Sequence, residues 1–312
     1  MENILLCLNA VLPIFLIFAL GFAARHLNLM DIGDVLKMNK IAFKVFLPFM
    51  MFANIYNAEL EAAIRPDLIL FALGSVLVIY LLSIAASLLY TKDKSKQGVI
   101  IQGIFRSNYV IVGMPIAGSL IPGADLSSVA VLVALVVCEF NILAVICLTL
   151  FNGHPFNLKS TLRSLATNPL ILSSLAGIAF LLLDIRLPSF LDSAVESLSG
   201  VASPLMLFLL GAFIDFRAMR KFTRDLIFVC IGRLFIVPAV FLTVGYLAGF
   251  RGIEFAALIG AFASSTATTS FTMAQQMGSD AELAGDIVIV TSALCPLTLF
   301  LWSAVFTSLG VL

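Results

Sequence analysis

Charge is what this sequence has least of. Only 12% of its 312 residues are Asp, Glu, Lys or Arg, against about 25% in an ordinary soluble domain. No polar stretch exceeds roughly 20 residues, well short of domain size. Acidic and basic residues balance at 18 each, so bulk charge points to no nucleic-acid partner. The N-terminus carries Glu2 and no early Lys or Arg. It lacks the basic start and cleavage site of a signal peptide and reads as a retained first helix. The five cysteines (Cys7, Cys138, Cys147, Cys230, Cys295) form no C-x-x-C pair. They read as small packing residues, not as a disulfide or metal site. The two histidines, His26 and His154, fall in expected loops, and neither H-E-x-x-H nor paired intramembrane aspartates occur. These absences speak against an enzyme and call for no cofactor.

What the chain has in excess is hydrocarbon: 61% of residues are hydrophobic and mean hydropathy is +1.12. Hydropathy predicts an all-α polytopic membrane protein of ten transmembrane helices. They fall at roughly 4–24, 35–57, 67–90, 98–120, 127–151, 168–184, 191–214, 224–249, 254–276 and 283–309. Helices are required because backbone groups in lipid must be satisfied internally, and no period-2 barrel pattern is visible. Twelve Lys and Arg fall on one side of these spans, and three (Arg65, Arg186, Arg251) on the other. The basic side belongs in the cytoplasm, which expects both termini outside it, in a multi-pass protein of the plasma (inner) membrane.

A shift of 156 residues superposes the two halves of the chain. Pro13 falls on Pro169, Gly21 on Gly177, Pro48 on Pro204 and Phe52 on Phe208, among nine identities in a 40-residue window. Chance in a biased composition is the competing explanation; two prolines and a glycine in one register weigh against it. Residues 1–156 and 157–312 then hold five spans each. An odd number makes the second half enter from the opposite side, an inverted repeat of the kind secondary transporters use.

By that repeat the fourth span pairs with the ninth, and both carry costly residues. The fourth contains "FRSNYVIVGMPIAGSL". Pro115 removes an N–H and clashes with the carbonyl of Ile111, and Gly113 adds backbone freedom. Asn108 offers hydrogen bonds to freed backbone groups, and Arg106 meets either an anion or the cytoplasmic interface. A simple proline kink is the alternative. The ninth span has no proline but carries seven hydroxyls in nine residues, Ser264, Ser265, Thr266, Thr268, Thr269, Ser270 and Thr272, followed by Gln275 and Gln276. It reads as a polar wall facing the opened fourth span; helix bending or helix–helix hydrogen bonding is the alternative. Glu139 in the fifth span is a proton carrier or a neutral packing carboxyl in equal measure. Asp286 reads as a helix-start residue. Arg233 neutralises either Glu139 or a substrate anion.

These segments resemble the auxin efflux carrier (AEC) family, the bacterial relatives of plant PIN auxin transporters. "NYVIVGMP" from Asn108 to Pro115 matches that family's N-x-x-x-x-G-x-P pattern. "VLPIFLIFALGFAAR", "FKVFLPFMMF", "NPLILSSLAG", "SPLMLFLLGAFI" and "MAQQMGSD" look like its other recurring segments, in order, over nearly the whole chain. The resemblance implies a bile-acid/sodium symporter-like fold with two broken crossover helices. It implies a scaffold of spans 1, 2, 6 and 7, a moving core of spans 3–5 and 8–10, and a homodimer through the scaffold. Its substrates are organic anions, auxin-like or small mono- and dicarboxylates such as malate or malonate. Asn108 and Pro115 carry over as substrate-site and crossover residues. The family often has a proline near the position of Ser265; this chain does not.

The leading expectation is a secondary transporter of small organic anions working by elevator-type alternating access in the lipid bilayer. Its anion would sit near Asn108, Gly113, Pro115, Ser265, Thr266, Thr268 and Thr269. Coupling falls to a sodium ion, to a proton, or to membrane potential alone, with Glu139, Gln275, Gln276 and Arg233 as coupling candidates. A cation/proton exchanger of related fold and a non-transporting membrane sensor are the alternatives. Glu139 is the one clearly mid-span acid, which argues against the exchanger.

Overall fold

The computed structural model describes residues 16–17, 19–57, 65–109, 114–121, 123–124, 126–151, 166–167, 169–213 and 223–312. Among them the chain is all-helical, and β-type pairing is confined to one isolated antiparallel bridge between Ser107 and Thr266. The first helix, α1, covers residues 19–26. α2 (Ile32–Ile41) runs through a π-helical turn, Ala42–Phe46, into α3 (Leu47–Tyr56). α4 (Pro66–Tyr90), α5 (Lys94–Phe105), α6 (Met114–Leu120) and α7 (Ser127–Leu150) follow. The second half holds α8 (Pro169–Leu182), α9 (Ser189–Phe213) and α10 (Thr223–Ile231), which passes through the π-helical turn Gly232–Ile236 into α11 (Val237–Leu247). α12 (Gly252–Ala263), α13 (Thr269–Gln276) and α14 (Ala281–Ser308) complete it.

Polar side chains in the connections set where helices begin. Asp31 and Asp34 form a capping box at α2, each carboxylate accepting from the other's backbone N–H at 2.8 and 3.1 Å. Asp280, not Asp286, starts α14: its carboxylate accepts from the Leu283 N–H at 3.0 Å. Asp286 lies six residues further in and is 4% exposed. At α5 the Asp93 carboxylate accepts from the backbone N–H and the hydroxyl of Ser95, at 3.0 and 2.7 Å. The Ser95 hydroxyl above all holds that carboxyl below the ordinary aspartate range. A depressed folded value stabilises the cap above the unfolded value of about 3.9, an advantage lost as pH falls through the folded value. Asp93→Ala is therefore expected to cost about 1 kcal/mol at pH 7 and less at an acid pH below the folded value. Thermal unfolding of the detergent-purified protein at the two pH values measures it.

Four helices among the described residues are long and apolar enough to cross a bilayer: Pro66–Tyr90, Val131–Leu150, Ser189–Phe213 and Arg224–Leu247. Ala281–Cys295 and Leu297–Ser308, bent by 45° at Pro296, form a fifth as one broken span. The multi-pass membrane character read from composition therefore holds. The expected fourth and ninth spans are instead pairs of short helices, which is why length alone does not reveal them.

The helices pack in two groups. α3 lies against α8 and α9, and α9 also against α2. The other group joins α4–α7 with α10–α14, with α12 against α6, α7 and α11, and α14 against α5 and α13. Charges at the helix ends tie the second group together. Arg65 pairs with Glu254, and the Gly252 N–H donates to the Val311 carbonyl, at one end. At the other, the Asp225 carboxylate accepts from Lys96 Nζ and from the Tyr90 hydroxyl, both at 2.8 Å, and the Asp280 N–H donates to the Ser95 carbonyl at 3.2 Å.

Two glycines let helices of the first group touch backbone to backbone. A Cβ on Gly21 would overlap the Phe208 carbonyl of α9. A Cβ on Gly177 of α8 would lie 3.1 Å from the Phe52 carbonyl of α3. These are two of the residue pairs matched by the 156-residue shift, and they meet crosswise.

Candidate functional site

α5 and α12 are each 12 residues long, about 18 Å, too short to cross roughly 30 Å of hydrocarbon. Both stop inside the protein. Gln97–Phe105 and Phe255–Ala263 are buried without exception. The chain then turns extended, at Arg106 (φ −89°, ψ 116°) and at Ser264 (φ −76°, ψ 165°); Tyr109 is already π-helical, and in the ninth span helix resumes at Thr269.

The two breaks lie against each other. Around the Ser107–Thr266 bridge, the Asn108 N–H donates to the Ser265 carbonyl at 2.8 Å and the Ala267 N–H to the Arg106 carbonyl at 3.3 Å. A helix broken in a dry interior must find partners for its freed backbone groups. Two threonines supply them: the Thr266 hydroxyl donates to the Gly103 carbonyl at 2.7 Å, and the Thr291 hydroxyl accepts from the Thr266 N–H at 3.2 Å. Arg233, fully buried in the π-helical turn between α10 and α11, supplies more. Its Nε donates to the Ser264 carbonyl at 2.8 Å and its Nη2 to the Ala261 carbonyl at 3.1 Å. Its Nη1 reaches the Ile104 and Phe105 carbonyls at 3.4 and 3.5 Å. One guanidinium thus closes the C-terminal, partially negative ends of both half-helices.

This explains how the ninth span breaks without a proline. Hydroxyls, a facing strand and an arginine make the non-helical backbone as well satisfied as a helix would. In the fourth span the break begins at Arg106, upstream of the reach of Pro115. Pro115 lies within α6. Gly113 lies outside the described residues.

Side chains around the crossing are less well satisfied than its backbone. Ser107 Oγ, Asn108 Nδ2, Tyr109 Oη, Ser264 Oγ, Ser270 Oγ and Thr272 Oγ1 are buried without a hydrogen-bond partner. Gln102 joins them: its Nε2 donates to the Ser270 carbonyl at 3.0 Å, while its Oε1 has none. Buried polar atoms are otherwise paired in at least nine cases of ten, and an orphan costs about 1–3 kcal/mol. Arg106 is 3% exposed, and its guanidinium donates to the Met273 thioether at 2.8 Å and to the Asn141 carboxamide oxygen. The Asn141 amide in turn donates to the thioether of Met51.

The structure brings Asn108, Ser265, Thr266, Thr268, Thr269 and Arg233 to one crossing. Glu139 is on α7, half-buried with Oε2 unpartnered. Among the described residues no ion pair joins it to Arg106 or Arg233. Gln275 and Gln276 close α13, and the Gln275 side-chain Oε1 accepts from the Asn39 amide of α2, a fully buried asparagine. Gln102 and Thr291 are polar residues in apolar runs, the signal that marks them in the sequence; Asn39, between Lys37 and Lys40, carries no such signal.

A family model described as membrane transport protein matches residues 6–157 and 154–303. An "Uncharacterized transporter" of Methanothermobacter thermautotrophicus is 22% identical over 301 residues, covering 95% of this chain and 97% of the relative. A protein of Rhizobium meliloti named "Putative malonate transporter" is 25% identical over 296 residues, covering 91% of each. The chain, a multi-pass helical protein whose two broken helices cross in its interior, belongs to the membrane transport protein family, that of the auxin efflux carriers.

Proposed function

We propose that this transporter moves small organic anions, bound at the crossing of the two broken helices, by elevator-type alternating access. The observation that carries the reading is the charge and hydrogen-bond state of the crossing. Two guanidinium groups, Arg106 and Arg233, are buried there, and among the described residues neither has a carboxylate partner. Around them stand the orphaned polar atoms of Ser107, Asn108 and Ser264. Buried charge without a counter-charge is costly, and an anion with hydrogen-bonding oxygens satisfies both needs at once. A cation substrate would meet the same two positive charges as repulsion. The name of the Rhizobium meliloti relative fits a dicarboxylate such as malonate.

The mechanism follows the two packing groups. α1–α3 with α8 and α9 form the scaffold; α4–α7 with α10–α14 form the body that carries the anion across. Ten spans in two inverted halves are supported by the equal 12-residue lengths of α5 and α12 and by the crosswise Gly21–Phe208 and Gly177–Phe52 contacts. The basic-rich end, with Lys96, faces the cytoplasm of a plasma (inner) membrane, and both termini lie outside.

Counterflow of radiolabelled malonate, malate and indole-3-acetate in proteoliposomes tests the reading. Asn108→Ala removes an unpartnered amide donor from the crossing. It is expected to lower apparent affinity about 10- to 100-fold, the worth of one hydrogen bond to a charged group. Normal flux in a well-folded Asn108→Ala protein would sink the site assignment.

A further inference from the structure

We propose that Arg106 is the residue that reads the charge of the transported anion: its guanidinium takes the substrate carboxylate, beside the Asn108 amide. The proposal rests on the organic-anion reading above and deepens it.

The two buried arginines serve as each other's control. Arg233 is 0% exposed and meets four backbone carbonyls at two helix ends. Its charge is engaged in holding the fold. Arg106 is buried as deeply, yet its partners are a thioether, a weak acceptor, and one neutral carboxamide. A guanidinium has five N–H donors in a planar fork, and these two partners leave the fork under-used and, among the described residues, the charge without an opposite. The four ion pairs among the described residues all lie at helix ends or in a loop. Glu139 does not close the gap. It precedes Asn141 by two positions on α7, about 200° around the helix, so the side that offers Asn141 to Arg106 turns Glu139 away.

Placement then favours a ligand. Arg106 is extended and Ser107 is paired in the bridge. Side chains two apart in extended chain share a face, so Arg106 and Asn108 sit on the same side of the crossing. One supplies a bidentate fork for a carboxylate, the other an amide N–H that is buried and unpartnered. Together they match a short carboxylate with a second acceptor a few bonds away.

The test uses the full-length protein in detergent. Binding of malonate, malate, succinate, indole-3-acetate and uncharged malonamide is measured by calorimetry for wild type, Arg106→Gln and Arg106→Lys. Thermal unfolding without ligand is recorded for each. Arg106→Gln is expected to weaken the preferred carboxylate about 10- to 100-fold, the loss of a charge-assisted contact. It should also collapse the preference for malonate over malonamide. Arg106→Lys should fall in between, keeping the charge without the fork. The ligand-free unfolding temperature of Arg106→Gln should equal or exceed that of wild type, because an uncompensated buried charge has been removed. A lower unfolding temperature with unchanged carboxylate preference would assign Arg106 to structure and overturn the proposal. Binding as tight as wild type in Arg106→Gln would overturn it as well, with the organic-anion reading intact. Wild type that binds none of the carboxylates would overturn that reading and this one together.

Discussion

Replacing Arg233 by methionine is expected to destabilise the protein by about 3–5 kcal/mol, as breaking a buried charged network does. Two opposing terms set the size. Removing a fully buried charge relieves its desolvation cost, which favours the variant. Against this, the carbonyls of Ile104, Phe105, Ala261 and Ser264 lose their shared donor. Each orphaned acceptor costs about 1–3 kcal/mol, and four of them outweigh the relief. The orphans also belong to the C-terminal ends of two half-helices whose partial negative charges then face each other without a cation. Arg233→Lys should recover part of the loss, since an ammonium has three donors and no planar fork. The denaturation midpoint in mixed micelles gives the ranking: wild type, then Arg233→Lys, then Arg233→Met. Equal midpoints for wild type and Arg233→Met would contradict the role given to this side chain.

The second large effect is expected at Gly21. A Cβ there meets the Phe208 carbonyl and, at 3.1 Å, the Ala212 nitrogen. Both are backbone atoms and have no rotamer to move into. Alanine at this position forces α1 away from α9, and overpacking of that kind costs about 1–3 kcal/mol or more. Gly177 is the built-in comparison. Its Cβ would sit 3.0 Å from the Ile55 side chain and 3.1 Å from the Phe52 carbonyl, a contact relieved by a few tenths of an ångström. Gly21→Ala should therefore sharply reduce the yield of monodisperse protein, and Gly177→Ala only mildly. The reverse order would show that the two helix pairs are not packed as described.

How much of this was legible in the sequence follows from how local each cause is. The break in the fourth span could be anticipated because Asn108, Gly113 and Pro115 are helix-disfavouring within one stretch. Its starting point could not. Arg106 leaves the helix because Asn108 donates to Ser265 and Ala267 to Arg106 across the crossing, between residues more than 150 positions apart. The ninth span signalled polarity but gave no breaker, because its break is stabilised by Arg233, Thr291 and the facing strand rather than by its own residues. Arg233 was read as a charge awaiting a counter-charge. Its acceptors are carbonyls, and side-chain chemistry in a sequence says nothing of which carbonyls are free. Asp286 was assigned to a helix start that Asp280 occupies, a difference of under two turns that hydropathy does not resolve.

Arg233 also breaks the pairing of positions 156 apart. One side chain serves both half-helices at their seam, so the task is done once. The position paired with it, Leu77 in Ser75–Val76–Leu77–Val78, holds no cation and is 45% exposed, so an arginine there would face outward rather than reach those carbonyls. Gly21 and Gly177, by contrast, are each needed at their own contact, and both are present.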